Sequence, residues 1–346
     1  MTENNKYYTA DSYGEAKDLA CSSAVLSEEI IAIFAFENHQ IKKIMFSVTI
    51  LGSCSAMAVA GEISSAQIIR NGKHHYLVDC ADGTTLKLME NKIQYGHIDA
   101  IFISHIHGDH TAGLINLLGT FKLTGRKAPL KIYAPADLFR IYETVFKEIV
   151  GTFHFKVDFI SIDMDEYKLI HEDTAIRVYS IPLHHSVPDV GFLFKEKQKL
   201  PNVRIEEIRK YNIPVTEISK IKNGMDWTLE DGTVIDHNDL LCPPETPKSY
   251  AYCSDTAYFP ELADYVKDVD LLYHEASFLE RDRELAVKYG HSTAREAALT
   301  ALNANVGQLI IGHISARYDG FSEAVDEAMV IFPKTNFAYP STIYEL

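Results

Sequence analysis

The segment Ser104-His105-Ile106-His107-Gly108-Asp109-His110 sets three imidazoles and a carboxylate within six residues. Groups of this polarity are costly to bury without partners. Neutral imidazole is a good ligand for Zn²⁺, and an aspartate oxygen is an acceptable one. The spacing has its own logic. A tight turn leaving a strand can aim His105 and His107 at one point. Asp109 and His110 then fall on the first turn of the next helix and aim at a second point close by. That arrangement suits two metals about 3.5–4 Å apart, the geometry of hydrolytic two-metal sites.

Elements must hold these groups in place. DAIFIS, just before the run, reads as a buried strand, and LINLLGTF as the helix after it. From residue 46 onward, short apolar runs alternate with helical patterns. AQIIR, HYLVDC, LKIYAP, IRVYSI, GFLF, SYAYCS, VDLLYHEA and QLIIGH read as strands. TTLKLMENKIQ reads as a helix with Leu86, Met89 and Ile93 on one face. ADLFRIYETVFKEIV, STAREAALTAL and EAVDEAMVIF read as further helices. This alternation indicates an α/β protein with buried sheets. Residues 1–44 lack it and read as an N-terminal extension before a domain at 45–346.

Bulk composition limits the function. There are 33 basic and 48 acidic residues, a formal net charge of −15, which argues against a polyanionic partner. Residues 195–222 run the other way. Lys195, Lys197, Lys199, Arg204, Arg209, Lys210, Lys220 and Lys222 outnumber four glutamates there. Pro201 and Pro214 interrupt the segment, so it is expected to protrude as an arm. The five cysteines form no C-x-x-C pair, which speaks against a cysteine zinc site and fits a reducing, cytoplasmic setting. No signal peptide is visible, and no apolar run approaches the ~20 residues that span a bilayer.

The histidine run resembles the signature of metallo-β-lactamase-fold hydrolases. In that family the remaining ligands come from the ends of later strands: a His, a bridging Asp and a last His. IPLHHSVPDVGF offers His184 and His185, YCSDT offers Asp255, and LIIGHISARY offers His313. The likeness narrows to the ribonuclease Z family, tRNA 3′-end processing endonucleases. TILGSCSAM, YLVDCADGTT, FISHIHGDHTAGLINLLGT, HSVPDVGF, TLEDGTVI, YCSDT, LLYHEASF, HSTAREAA and LIIGHISARY carry it, over about residues 47–318.

The resemblance implies an αββα sandwich of two mixed sheets with outer helices. It implies two Zn²⁺, with Mn²⁺ or another divalent metal as substitute. His105, His107 and His185 would bind one, Asp109, His110 and His313 the other, and Asp255 would bridge them. His185 is preferred to His184 because the family's ligand lies six residues before a glycine, here Gly191. Asp109 would also accept the proton of the attacking water, His291 would face the scissile phosphate, and Glu275 would orient it. The implied substrate is precursor tRNA, cut by hydroxide attack to leave a free 3′-hydroxyl. The arm at 195–222 occupies the place of the family's tRNA-gripping exosite, and family members with this arm commonly form homodimers. The arm departs from the family pattern, with Val215-Thr216 where Pro-Gly-Pro is usual. A second reading follows: another hydrolase on this scaffold, acting on small phosphodiesters, cyclic nucleotides or sulfate esters. A non-catalytic binding protein is disfavoured by the complete ligand set.

Overall fold

The computed structural model describes residues 46–57 and 61–346. The extension read at 1–44 lies outside the described residues. The strands are nearly continuous apolar runs. Ile98–Phe102 buries four of its five residues, with Ile98 and Ile101 on one face and Ala100 and Phe102 on the other. A strand apolar on both faces must be covered on both, which dictates layers.

Among the described residues, fourteen strands form two seven-stranded mixed sheets. The first contains β1 (Ser47–Gly52), β2 (Ala66–Asn71), β3 (His74–Val78), β4 (Ile98–Phe102), β5 (Leu130–Ala134) and β6 (Val157–Ser161). These lie in chain order, with the last strand, β16 (Ile343–Glu345), added antiparallel beside β1. From β3 to β6 the pairing is parallel. The second sheet contains β7 (Lys168–Glu172), β8 (Ile176–Leu183) and β9 (Asp189–Glu196). After a small hairpin of β10 (Trp227–Thr228) and β11 (Val234–Ile235), it takes up β12 (Ser249–Cys253), β13 (Leu271–Glu275), β14 (Gln308–Gly312) and β15 (Thr335–Phe337).

Aromatic side chains fill the space between the sheets. Phe102 stacks on Tyr133 with ring centroids 4.8 Å apart, and its edge meets Phe194. On the outer faces, helix Leu114–Leu123 lays Leu114, Leu117, Leu118 and Phe121 on the first sheet. Helix Ala294–Asn303 lays Ala294, Ala297, Ala298 and Ala301 on the second. That i, i+3, i+4, i+7 spacing makes one apolar stripe, and its alanines let the helix lie close. The result is the expected αββα sandwich. Among the described residues, no helix is long and apolar enough to cross a membrane.

Two expectations need correction. The helix read across TTLKLMENKIQ ends at Glu90 and buries Leu88, while Leu86 and Met89 face solvent. The short helix turns Leu88 rather than those two toward the sheet. The arm also differs from its expected span. Lys195 still lies in β9, because Arg177 pairs with it and Ile176 with Glu196. The arm leaves after Glu196 and returns at Lys248, where the Glu196 N–H donates to the Lys248 carbonyl at 2.8 Å. It carries two short helices, Ile205–Lys210 and Val215–Lys222, and the β10–β11 hairpin. Val203, Ile213, Ile221 and Leu240 give it a small core of its own. The added half, residues 223–247, holds six carboxylates and no lysine or arginine.

Candidate metal centre

The donor residues sit just beyond strand ends. His105 and His107 follow β4, His185 follows β8, Asp255 follows β12, and His313 directly follows β14. A helix starts at Gly108, so Asp109 and His110 lie on its first turn, as the spacing requires. Two sets of donors gather. His105, His107, His185 and Asp255 form one, with ligand atoms within 4.8 Å of one another. Asp109, His110, Asp255 and His313 form the other by the same measure. Asp255 belongs to both.

Distances define the pockets. His107 Nδ1 lies 3.0 Å from His105 Nε2 and 3.4 Å from His185 Nε2. Asp255 Oδ2 stands 3.9 Å from each of those Nε2 atoms and 3.7 Å from His110 Nε2. His313 Nε2 is 3.3 Å from Asp109 Oδ2. His110 Nε2 and Asp255 Oδ1 are buried with no aligned hydrogen bond. Converging nitrogen lone pairs around a shared carboxylate, with buried polar atoms left unmatched, is the donor set a pair of divalent cations satisfies.

Partners behind the ligands fix their orientation. Asp79, at the end of β3, contacts His110 Nδ1 at 2.7 Å and accepts from the Ser104 N–H at 2.8 Å and the Tyr252 hydroxyl at 2.6 Å. The Gly290 carbonyl meets His185 Nδ1 at 2.8 Å. Ser277 Oγ meets His313 Nδ1 at 2.9 Å. Asp79 and His313 both have positive φ, +53° and +59°, a conformation unusual for side-chain-bearing residues and frequent at functional sites. The His313 N–H donates to the Ser53 carbonyl at 2.7 Å, which holds it there. Sequence reasoning missed Asp79, Ser277 and Gly290. Asp79 alone left a signal, an acidic residue ending the apolar run HYLVDC.

Electrostatics agree with ligand roles. Burial, with the neighbouring His110, pushes His105 down to about 3, so its imidazole is neutral. Burial likewise lowers His107 and His185. Burial would raise Asp255 and Asp109, yet the surrounding histidines, His313 foremost, hold both below the usual carboxylate range. Burial opposes charge on His110, but Asp79 and Asp255 together raise it well above its ordinary value.

Beside the second pocket, Glu275 accepts from the backbone N–H groups of Thr256, Ser277 and Ser292. It faces His291 Nδ1 at 3.0 Å. Burial works against charge on His291, but Glu275 overrides it and lifts the imidazole to about 9. His184 is absent from both donor sets: its N–H donates to Thr256 Oγ1 and its ring lies 4.2 Å from that of Phe259. The eight basic residues are not brought to the pockets. Lys195 is about 20 Å along β9 from Asp189, at ~3.3 Å per residue, and its ammonium rests on Tyr179. Lys197 pairs with Glu172 and Lys199 with Glu196, at the root of the arm. Lys222 bonds Asn202, and Arg204 bonds the Asp239 carbonyl. Lys210 and Lys220 make exposed pairs with Glu207 and Glu217.

Comparison with known proteins places this geometry. A family profile described as Anti-Pycsar protein Apyc1 matches residues 46–184. Among solved structures, the metallo-β-lactamase-fold protein YhfI of Bacillus subtilis superposes with a TM-score of 0.63 at 19% identity, covering 87% of this chain and all of that one. The short form of human tRNase Z gives 0.59 at 23% identity, covering 86% and 98%. At these identities the structures establish the fold. A Ribonuclease Z from Bacteroides thetaiotaomicron is 39% identical over 293 residues, 85% of this chain and 93% of the relative. One from Porphyromonas gingivalis is 39% identical over 290 residues, 84% and 95%. With that identity sustained across nearly the whole of its relatives, on the metallo-β-lactamase fold, this chain belongs to the ribonuclease Z family.

Proposed function

We propose that this chain is an endoribonuclease that removes the 3′ trailer from precursor tRNA by hydrolysing one phosphodiester bond with two divalent metals, zinc first among them. The observation that carries the reading is the pair of adjoining donor sets sharing Asp255, with the His291–Glu275 pair beside them. His105, His107, His185 and Asp255 would hold one ion, and Asp109, His110, His313 and Asp255 the other. Bound there, the metals would lower the pKa of water toward ~7 and offset charge on the phosphate oxygens. Asp109 takes the proton of the water that attacks phosphorus. His291, protonated at neutral pH, gives its proton to the departing 3′-oxygen as the P–O bond breaks. The products are tRNA with a 3′-hydroxyl and a trailer with a 5′-phosphate. The basic helices of the arm would grip tRNA phosphates away from the chemistry, through contacts that position without specifying. A cytoplasmic homodimer, the arm of one subunit serving the site of the other, completes the reading.

The test is incubation with a 3′-extended tRNA transcript and mapping of the cut. Cleavage leaving a 3′-hydroxyl is expected, and Asp109→Ala should slow it by about 10²–10⁴-fold, the usual worth of a positioned acid or base. The altered Val215-Thr216 favours one alternative, a small phosphodiester, cyclic nucleotide or sulfate ester as substrate. An intact transcript beside rapid hydrolysis of such a compound would select it.

A further inference from the structure

Asp189 opens β9, directly beneath the first metal pocket. It is 1% exposed, and neither carboxylate oxygen has an aligned hydrogen bond. A carboxyl group buried without aligned partners is costly to keep. Its nearest basic neighbour is His105, whose Nδ1 lies 3.0 Å from Asp189 Oδ2. The backbone holds the pair together: Leu183 pairs with Asp189 across β8 and β9, and the Val190 N–H donates to the Ser104 carbonyl at 3.3 Å.

The second pocket shows what such a residue does. There Asp79 meets His110 Nδ1 at 2.7 Å, so that Nε2 is the nitrogen left for the pocket. His105 needs the same service, because its Nε2 is the atom facing His107 and Asp255. One other acceptor is near, Ser104 Oγ at 3.1 Å from His105 Nδ1. That hydroxyl already donates to Asp79 and accepts from Ser254 Oγ at 3.0 Å. It is a neutral and divided partner.

We infer that Asp189 is a positioning residue for the first metal: it accepts the ring proton of His105 at Nδ1, fixes the tautomer and leaves Nε2 free to bind. The inference rests on the two-metal reading above.

The test uses the full chain as wild type, Asp189→Ala and Asp189→Asn. Each is stripped of metal, titrated with Zn²⁺ against a competing chromophoric chelator, and melted in the stripped form. For Asp189→Ala, one of two zinc equivalents should weaken by about 10–100-fold, as is typical when a ligand loses its backing group. Asp189→Asn should fall between, because its amide oxygen still accepts from Nδ1. Stripped Asp189→Ala should melt no lower than stripped wild type, since a buried polar group without an aligned hydrogen bond has been removed. Loss of affinity without loss of melting temperature is something a purely structural role cannot produce. If both equivalents keep wild-type affinity, Ser104 alone orients His105 and the inference fails. A lower melting temperature with unchanged affinity overturns it too. Should wild type take up fewer than two equivalents, the two-metal reading falls, and the change in the remaining equivalent still decides Asp189.

Discussion

Glu275 is fully buried, yet three backbone N–H groups and His291 surround it. It is therefore satisfied without a metal of its own, and its charge is spent on His291. The shift has a definite sign. His291 stands at about 9, above the ordinary ~6.5, so the proton-donating form is present at neutral pH and lost as pH rises through about 9. The pH profile of kcat/KM should show an alkaline limb near that value. Glu275→Gln should move the limb to lower pH, and His291→Ala should abolish it while reducing the neutral rate by about 10²–10⁴-fold. A limb unmoved by Glu275→Gln would detach Glu275 from the donor. At this scale the sequence was informative about donor types, because the family motifs carry them in short strings. It was silent on which neighbours orient them.

Strand ends and turns bring those residues into place, and their strength can be measured. Asp173 lies in the β7–β8 turn and accepts from the N–H groups of Ala175 and Ile176 at 2.7 and 2.9 Å. It also accepts from the hydroxyl of Tyr76, on the other sheet, at 2.6 Å. Burial would raise this carboxyl, but contacts to His171, Tyr76 and the two N–H groups hold it below the usual range. A depressed carboxyl stabilises the fold above its unfolded pKa of ~3.9, and that contribution fades as pH falls below it. Asp173→Ala should cost about 1–3 kcal/mol at pH 7, the range for stranding a buried donor. The gap to wild type in urea melts should shrink near pH 3. The arm permits a second measurement. It is inserted between β9 and β12, adjacent strands whose ends are already paired, so its removal need not open the sandwich. Replacing residues 198–247 by a short Gly-Ser linker should spare hydrolysis of bis(p-nitrophenyl) phosphate and raise the KM for precursor tRNA at least ~10-fold, as expected when several phosphate contacts go. Equal loss on both substrates would refute the gripping role. Cutting only the basic stretch would remove Val203, Ile213 and Ile221 and expose Leu240, because the small core draws on both halves of the arm.

Over the whole molecule, a net charge of −15 and an RNA substrate are reconciled by uneven distribution. Lys195 and Lys197 lie at the body, and Lys199 and Arg204 are tied at the arm's root. Arg209, Lys210, Lys220 and Lys222 remain for phosphates, the exposed contacts of Lys210 with Glu207, Lys220 with Glu217 and Lys222 with Asn202 being worth little. A plot of log affinity for precursor tRNA against log salt should slope at about −4, near −0.9 for each phosphate. A slope near about −7 would mean that all eight basic residues engage. From sequence alone came the donors, the alternating strands and helices, and the family, because each is written in residues close together along the chain. Hydrophobic period and motif spacing are local properties. Tertiary structure alone decided that Asp79 and Asp189 stand behind His110 and His105, and that the basic helices share a module with the six carboxylates of residues 223–247. Those facts join residues far apart, such as Tyr252 with Asp79, 173 positions away, and His313 with Asp109, 204 away. Only packing the two sheets face to face sets such distances, and no local pattern encodes them.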